Sequence, residues 1–184
     1  MKLEIYSKRI SCRGFTRLEL IITSAIVGML ASIAIPTFSS LAPDYRLKKT
    51  VQTLYSDMHF AKMRAIKENS TCRIEFLTGG SGSYEIMGPD GSIIKTVDLS
   101  GPDSGYAISY GCGNATKGAT TSGGPAPSDG VSFNSNKAAF NSRGWGSSGY
   151  VYLENSQGDS FAVGLWSSGI IVIKKWNGKK RRWE

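Results

Sequence analysis

"GFTRLELIITSAIVGMLASIAIP", residues 14–36, decides how the rest of the chain is read. From Leu18 to Pro36 its only charge is Glu19, and Arg17 stands two residues before that glutamate. Thr23, Ser24 and Ser32 are mild polar interruptions. Phe15 to Pro36 is 22 residues, which as a helix rises roughly 33 Å, about the thickness of a bilayer's hydrocarbon layer. A carboxylate inside such a segment costs about 2.5–3.5 kcal/mol on insertion scales and by default has a function. Two ordinary explanations leave it without one. A secretory signal peptide would use the basic leader and a small-residue cleavage site at Ser32-Ile33-Ala34, but a charge at the start of its apolar core is poor design. A plain anchor accounts for the length alone.

The charge of the whole chain is equally uneven. Net charge is +8 over 184 residues, with +3 in the first 14 residues and +5 in residues 174–184, so the body between them is neutral. Two basic ends on a neutral body need separate explanations. A hydrophobic fraction of 40% suffices for one packed domain with an appendage. The single histidine, His59, has no Ser or Cys motif placed near it by sequence and reads as a surface or boundary residue. Gly79-Gly80-x-Gly82 lacks the following helix and lysine of a phosphate loop. With no CxxC, no HxxxH and no clustered carboxylates, the expectation is no metal, no cofactor, no small-molecule substrate and no enzymatic activity.

Pro36 is expected to kink or end the first helix, and Leu41-Ala42-Pro43-Asp44 to form a second break with Asp44 as N-cap. Beyond it Leu47, Val51, Leu54, Met58, Ala61 and Ala65 recur at spacings of four and three. That predicts an amphipathic helix over residues 45–69 with one apolar stripe, stopped at Asn69. Residues 79–149 then hold 16 of the 22 glycines, too many for a long helix. Short β-branched and aromatic runs predict strands at 72–77, 83–87, 92–99, 106–110, 131–133, 150–155, 160–166 and 169–176. Pro89-Asp90-Gly91 and Ser167-Ser168-Gly169 read as turns. Residues 111–130 form a long loop of small residues, a length usually functional or mobile. The fold class is α+β: a long N-terminal helical spine, membrane half then amphipathic half, packed on an antiparallel sheet. The expected divisions are a leader 1–14, a membrane helix 15–42, a head 43–173 and a basic tail 174–184.

Arg13-Gly14-Phe15-Thr16-x-x-Glu19 followed by the apolar run resembles the processing signal of type IV pilins and type II secretion pseudopilins. The resemblance implies cleavage by prepilin peptidase between Gly14 and Phe15 and N-methylation of Phe15. It also implies a role for Glu19 in assembly, neutralising the new ammonium of Phe15 on the next subunit. A paired buried charge is tolerable where a lone one is not, and it can mark register. Arg17 departs from the pattern, where the family has a small or apolar residue; it can snorkel to headgroups or compete for Glu19. Residues 140–176 resemble the C-terminal β-region of the GspH/FimT branch. The implied protein is a minor subunit in the bacterial inner membrane, single-pass, head in the periplasm, partnered by other pilins or pseudopilins in a pilus or pseudopilus. A secreted β-rich binding protein with an ordinary signal peptide is the outside alternative.

Cys12 belongs to the leader, which leaves Cys72 and Cys112. In a periplasmic head they either form a disulfide, closing about 40 residues and worth on the order of 4 kcal/mol, or stay as free thiols. The tail, "KKWNGKKRRWE", sets Lys174, Lys175, Lys179, Lys180, Arg181 and Arg182 among Trp176 and Trp183. Cations for phosphates and indoles for bases suit DNA. Gly178 to Arg182 is loosely similar to the DNA-binding motif of FimT-like uptake pilins, with lysines in place of arginine. The other readings are a solvated or edge-covering terminus, or contact with an acidic neighbour or the outer leaflet.

Overall fold

The structure, a computed structural model, describes residues 15–80, 82–99, 107–120 and 123–184. The leader, with Cys12 and Gly14, lies outside the described residues. The chain divides into two compact units, Met1–Ser40 and Leu41–Glu184. Helix α1 (Arg17–Lys67, 51 residues) contributes to both.

In the first unit, Arg17–Ile35 has a mean hydropathy of 2.2 and none of it is buried, so by length and composition it can cross a membrane. Its polar interruptions are silenced locally. Thr23 Oγ1 donates to the Glu19 carbonyl at 2.8 Å, Ser24 Oγ to Ile21 at 2.9 Å and Ser32 Oγ to Met29 at 2.7 Å. Hydroxyls bonded back to the preceding turn leave an apolar exterior. Neither Pro36 nor residues 41–44 end the helix, which is continuous through both prolines. Each proline forfeits one backbone bond at roughly 3 kcal/mol, a loss a long helix held by its other bonds absorbs. Asp44 is thus an interior helical residue, not an N-cap.

In the second unit the predicted stripe is the buried stripe: Leu47, Val51, Leu54, Met58, Ala61 and Ala65 are all at most 2% exposed. Each full-size side chain there stabilises the unit by roughly 1.5–3 kcal/mol. Asn69 adopts a left-handed φ of 47°, while Ser70 N–H bonds the Ala65 carbonyl and Asn69 N–H that of Ile66. This pair of bonds is a Schellman ending.

Nine strands follow among the described residues: β1 (Cys72–Leu77), β2 (Ser83–Met87), β3 (Ile93–Asp98), β4 (Ser109–Tyr110), β5 (Lys137–Phe140), β6 (Gly149–Glu154), β7 (Ser160–Leu165), β8 (Ile171–Asn177) and β9 (Arg182–Trp183). They form two antiparallel sheets, ordered β3-β2-β1-β5 and β4-β6-β7-β8-β9. Residues 131–133 are not a strand; Val131 makes a single bridge to Val151 while Phe133 is buried in the core. Strand β5 carries two alanines, weak strand formers, and is recruited by pairing Ala138 with Ile74 and Phe140 with Cys72.

Strands β6 and β7 are buried on both faces, hence their unbroken apolar runs. Val151, Leu153, Val163 and Leu165 join the helix stripe in the main core. Tyr150, Tyr152 and Ala162 face the other way and build a second, smaller cluster with Ala119. Gly164 sits under the Tyr150 ring, where a Cβ would collide with it.

Candidate functional site

Two places carry the functional expectations: the start of α1 and the C-terminal end of the head. At the first, Thr16 caps the helix. Its Oγ1 accepts the Glu19 N–H at 3.1 Å and its carbonyl accepts the Leu20 N–H at 3.1 Å. Thr-x-x-Glu is a capping sequence, and a carboxylate in a first turn is favoured by the helix dipole. Glu19 therefore needs no partner within its own chain for the helix to start there. Its side chain is exposed, as is Phe15 at 78%. The Thr16 cap escaped sequence reading although its spacing was in view.

At the second place, residues 174–184 are not an appendage but part of the head. β8 and β9 form a hairpin, with Trp176 opposite Trp183 and Asn177 opposite Arg182. Lys175 and Glu184 exchange both backbone bonds, at 2.7 and 3.0 Å. Trp176 is 8% exposed. Trp183 packs edge-on against both Trp176 and Tyr152, each at 5.4 Å, and its Nε1 donates to the Lys117 carbonyl at 2.7 Å. Neither indole is presented as a free stacking platform.

The cations divide into two groups. Lys174 Nζ donates to the Ala119 carbonyl at 2.8 Å beside the Tyr150 ring, and Lys175 Nζ meets Asp44 Oδ1 at 3.4 Å. Burial alone would raise the Asp44 carboxyl, but the Lys48 hydrogen bond and the Lys175 charge outweigh it and hold it below its ordinary value. Lys179, Lys180, Arg181 and Arg182 are exposed. Glu184 neutralises two of them, accepting from Lys180 at 2.8 Å and Arg182 at 2.9 Å. Hydrogen bonds from Lys180, Asn177 and Arg182 lower its carboxyl to about 2.

The long loop is a strap over the second cluster. Ala119 is 2% exposed, and its N–H donates to the Tyr152 hydroxyl at 2.8 Å. Lys117 of this strap lines a cleft together with Lys174, Arg181 and Arg182. Nothing in its sequence marked Lys117 for that position.

Cys72 and Cys112 are both free thiols here, the second of the two states expected for them. Cys72 belongs to the main core, while Cys112 packs against the second cluster. Burial, with the Glu154 charge, pushes the Cys112 thiol up to about 11; burial and Glu68 raise Cys72. His59 lies edge-on to Tyr55 at 4.7 Å. Among the described residues, no group of three or more His, Cys, Asp or Glu side chains could hold a metal ion.

An N-terminal apolar helix that runs on into a head of antiparallel sheets defines a pilin-like, membrane-anchored subunit. The model of the family described as type II transport protein GspH matches residues 50–169, from the buried helix stripe to the β7–β8 turn. The chain belongs to the GspH family and is a pseudopilin of the type II secretion or type IV pilus kind. Pseudopilins of this family are structural proteins that work beside other pseudopilins. Searches of curated proteins and of solved structures returned no match. The matched span ends at Gly169, short of the terminal hairpin.

Proposed function

We propose that this chain is a structural subunit of a type II secretion pseudopilus. It is made as a prepilin, cut by prepilin peptidase between Gly14 and Phe15, and N-methylated on Phe15. It waits in the inner membrane with its head in the periplasm, then enters a short filament, where it helps prime or cap the assembly. The observation that carries this reading is α1 itself. Its head portion buries a complete stripe, whereas Leu18, Ile21, Val27 and Ile33 of its first portion are 62–70% exposed. Side chains so apolar require lipid, then the helices of neighbouring subunits, as cover. Glu19, already compatible with its own helix start, is available to the Phe15 ammonium of the next subunit.

Intact mass of the mature chain tests the reading. Loss of residues 1–14 with gain of one methyl group is the expected result. Loss of about 34 residues, as for an ordinary signal peptide, would sink it.

A second reading, a type IV pilus subunit that binds DNA, is favoured by the exposure of Lys179, Lys180, Arg181 and Arg182. Its base-stacking component has no support, because Trp176 and Trp183 are engaged within the head. With four phosphate contacts the salt slope would be roughly −4. Gel mobility of the Lys179→Glu/Arg181→Glu variant against the parent chain tests it; equal mobility shifts would dismiss this site.

A further inference from the structure

The free charge of the terminal hairpin lies at the Asp44 end of the head. Helix α1 and strand β8 are tied at both ends. Lys62 Nζ donates to the Gly169 carbonyl at 2.9 Å just before β8, and Lys175 Nζ meets Asp44 near its end. β8 therefore runs antiparallel to α1, from the helix's last turns back to residue 44. The β8–β9 turn continues past Lys175 and carries Lys179, Lys180 and Arg181 beyond Asp44. Asp44 is nine residues from Ile35, where the apolar segment ends. Whatever their conformation, nine residues reach at most about 32 Å.

The charges at this end are not cancelled. Asp44 is shared by Lys48 and Lys175, and Glu184 by Lys180 and Arg182. Lys179 and Arg181 on the turn and Lys117 on the strap are exposed, and no carboxylate among the described residues bonds them. Arg181, at a φ of 50°, and Lys117 line one cleft.

We propose that Lys117, Lys179, Lys180, Arg181 and Arg182 form a docking surface for the anionic phospholipid headgroups of the membrane that holds Arg17–Ile35. The proposal rests on that segment spanning the bilayer. Each Lys or Arg brought to an anionic surface strengthens such contact roughly fivefold. The membrane is tethered to this patch at high effective concentration, whereas DNA must be captured from solution and finds no free aromatic face here. The contact holds the head down on the bilayer and is given up when the subunit rises into a filament.

The test uses the full chain in nanodiscs of phosphatidylcholine, with or without phosphatidylglycerol. Acetylation rates of individual lysines are read by mass spectrometry. Lys179 should react at least about fivefold more slowly in the phosphatidylglycerol discs, and Lys67, at the other end of α1's head portion, should not change. Raised salt, or Arg181→Glu, should return Lys179 to its rate in neutral discs. Lys117→Glu, which lies off the hairpin, should do the same, and keeps the test readable if Arg181→Glu loosens the turn. Equal Lys179 rates in both discs overturn the proposal. Protection in neutral discs only on adding duplex DNA would overturn it in favour of a nucleic-acid site. A chain that fails to enter discs at all overturns the spanning segment, and the proposal with it.

Discussion

Asp57 is the only buried charged residue among the described residues, at 7% exposure. It accepts the Tyr84 hydroxyl at 2.6 Å and Lys95 Nζ at 2.8 Å, and so ties α1 to β2 and β3. Asp57→Ala leaves the Tyr84 hydroxyl buried without its acceptor and should destabilise the head by about 2–4 kcal/mol, while Tyr84→Phe should cost about 1–2 kcal/mol. The Lys95 share is small because that side chain is 44% exposed. Urea unfolding of the two variants checks the order; equal losses would mean that the Tyr84 bond carries the whole interaction and Lys95 none of it. Gly164→Ala drives a methyl into the Tyr150 ring and should cost about 1–3 kcal/mol in the same assay. Glu184 gives a pH signature. Its folded-state carboxyl, at about 2, lies below the ordinary 4.5. Its contribution is complete above pH 4.5 and lost as pH falls toward 2. Trp183 fluorescence should report the hairpin loosening across that window, and Glu184→Gln should show the loosened signal already at neutral pH.

At the scale of elements, the terminal hairpin is the part most misread from sequence alone. Six cations in eleven residues resemble a solvated tail. Yet β8 pairs with β7 as far as Lys175, and Trp183 closes the second cluster. A chain ending at Ile173 therefore loses more than charge: it uncovers Tyr150, Tyr152 and Ala162 and releases the strap from Lys174 and Trp183. That truncation should lower the melting temperature of the head and induce dye binding to exposed apolar surface, whereas Lys179→Glu/Arg181→Glu should leave both unchanged. A truncation that melts like the parent would show the hairpin to be dispensable to the fold. Strand β5 and the continuous helix were hidden for related reasons. Lys137-Ala-Ala-Phe140 has little strand propensity of its own, and prolines normally argue for breaks; in both cases the surrounding contacts outweigh the local preference. The amphipathic stripe, the Asn69 stop and the two glycine turns were legible because one local rule governs each. Gly91 and Gly169 indeed take positive φ, 80° and 78°.

For the whole molecule, the two thiols lie in separate clusters on opposite sides of the β6–β7 layer. Alkylation of the denatured, unreduced head should label both Cys72 and Cys112; one missing pair of labels would establish a disulfide after all. In the native state at neutral pH labelling should be slow, since burial keeps both protonated. Labelling of Cys112 should accelerate as pH approaches 11. Much of the functional assignment was legible at this scale too. The Gly14-Phe15-x-x-x-Glu19 signal, the apolar run and the helix-then-strands order all pointed to the family that residues 50–169 match. The composition of the basic end did not reveal its surface, because identical lysines serve opposite ends: Lys174 and Lys175 hold the hairpin to Ala119 and Asp44, and Lys179 holds nothing.

What the sequence by itself determined were the features set by local periodicity and backbone stereochemistry. These are an apolar membrane-length helix with one carboxylate near its start, an amphipathic continuation, and glycine-punctuated antiparallel strands. What only the tertiary structure decided was which polar groups are spent internally and which remain free. Two covered faces on β6 and β7, a strap and a hairpin consume both tail tryptophans and four of the tail's six cations. Such pairings join residues far apart in the chain, as Lys175 with Asp44 and Trp183 with Lys117, and long-range pairing leaves no periodic trace in a sequence.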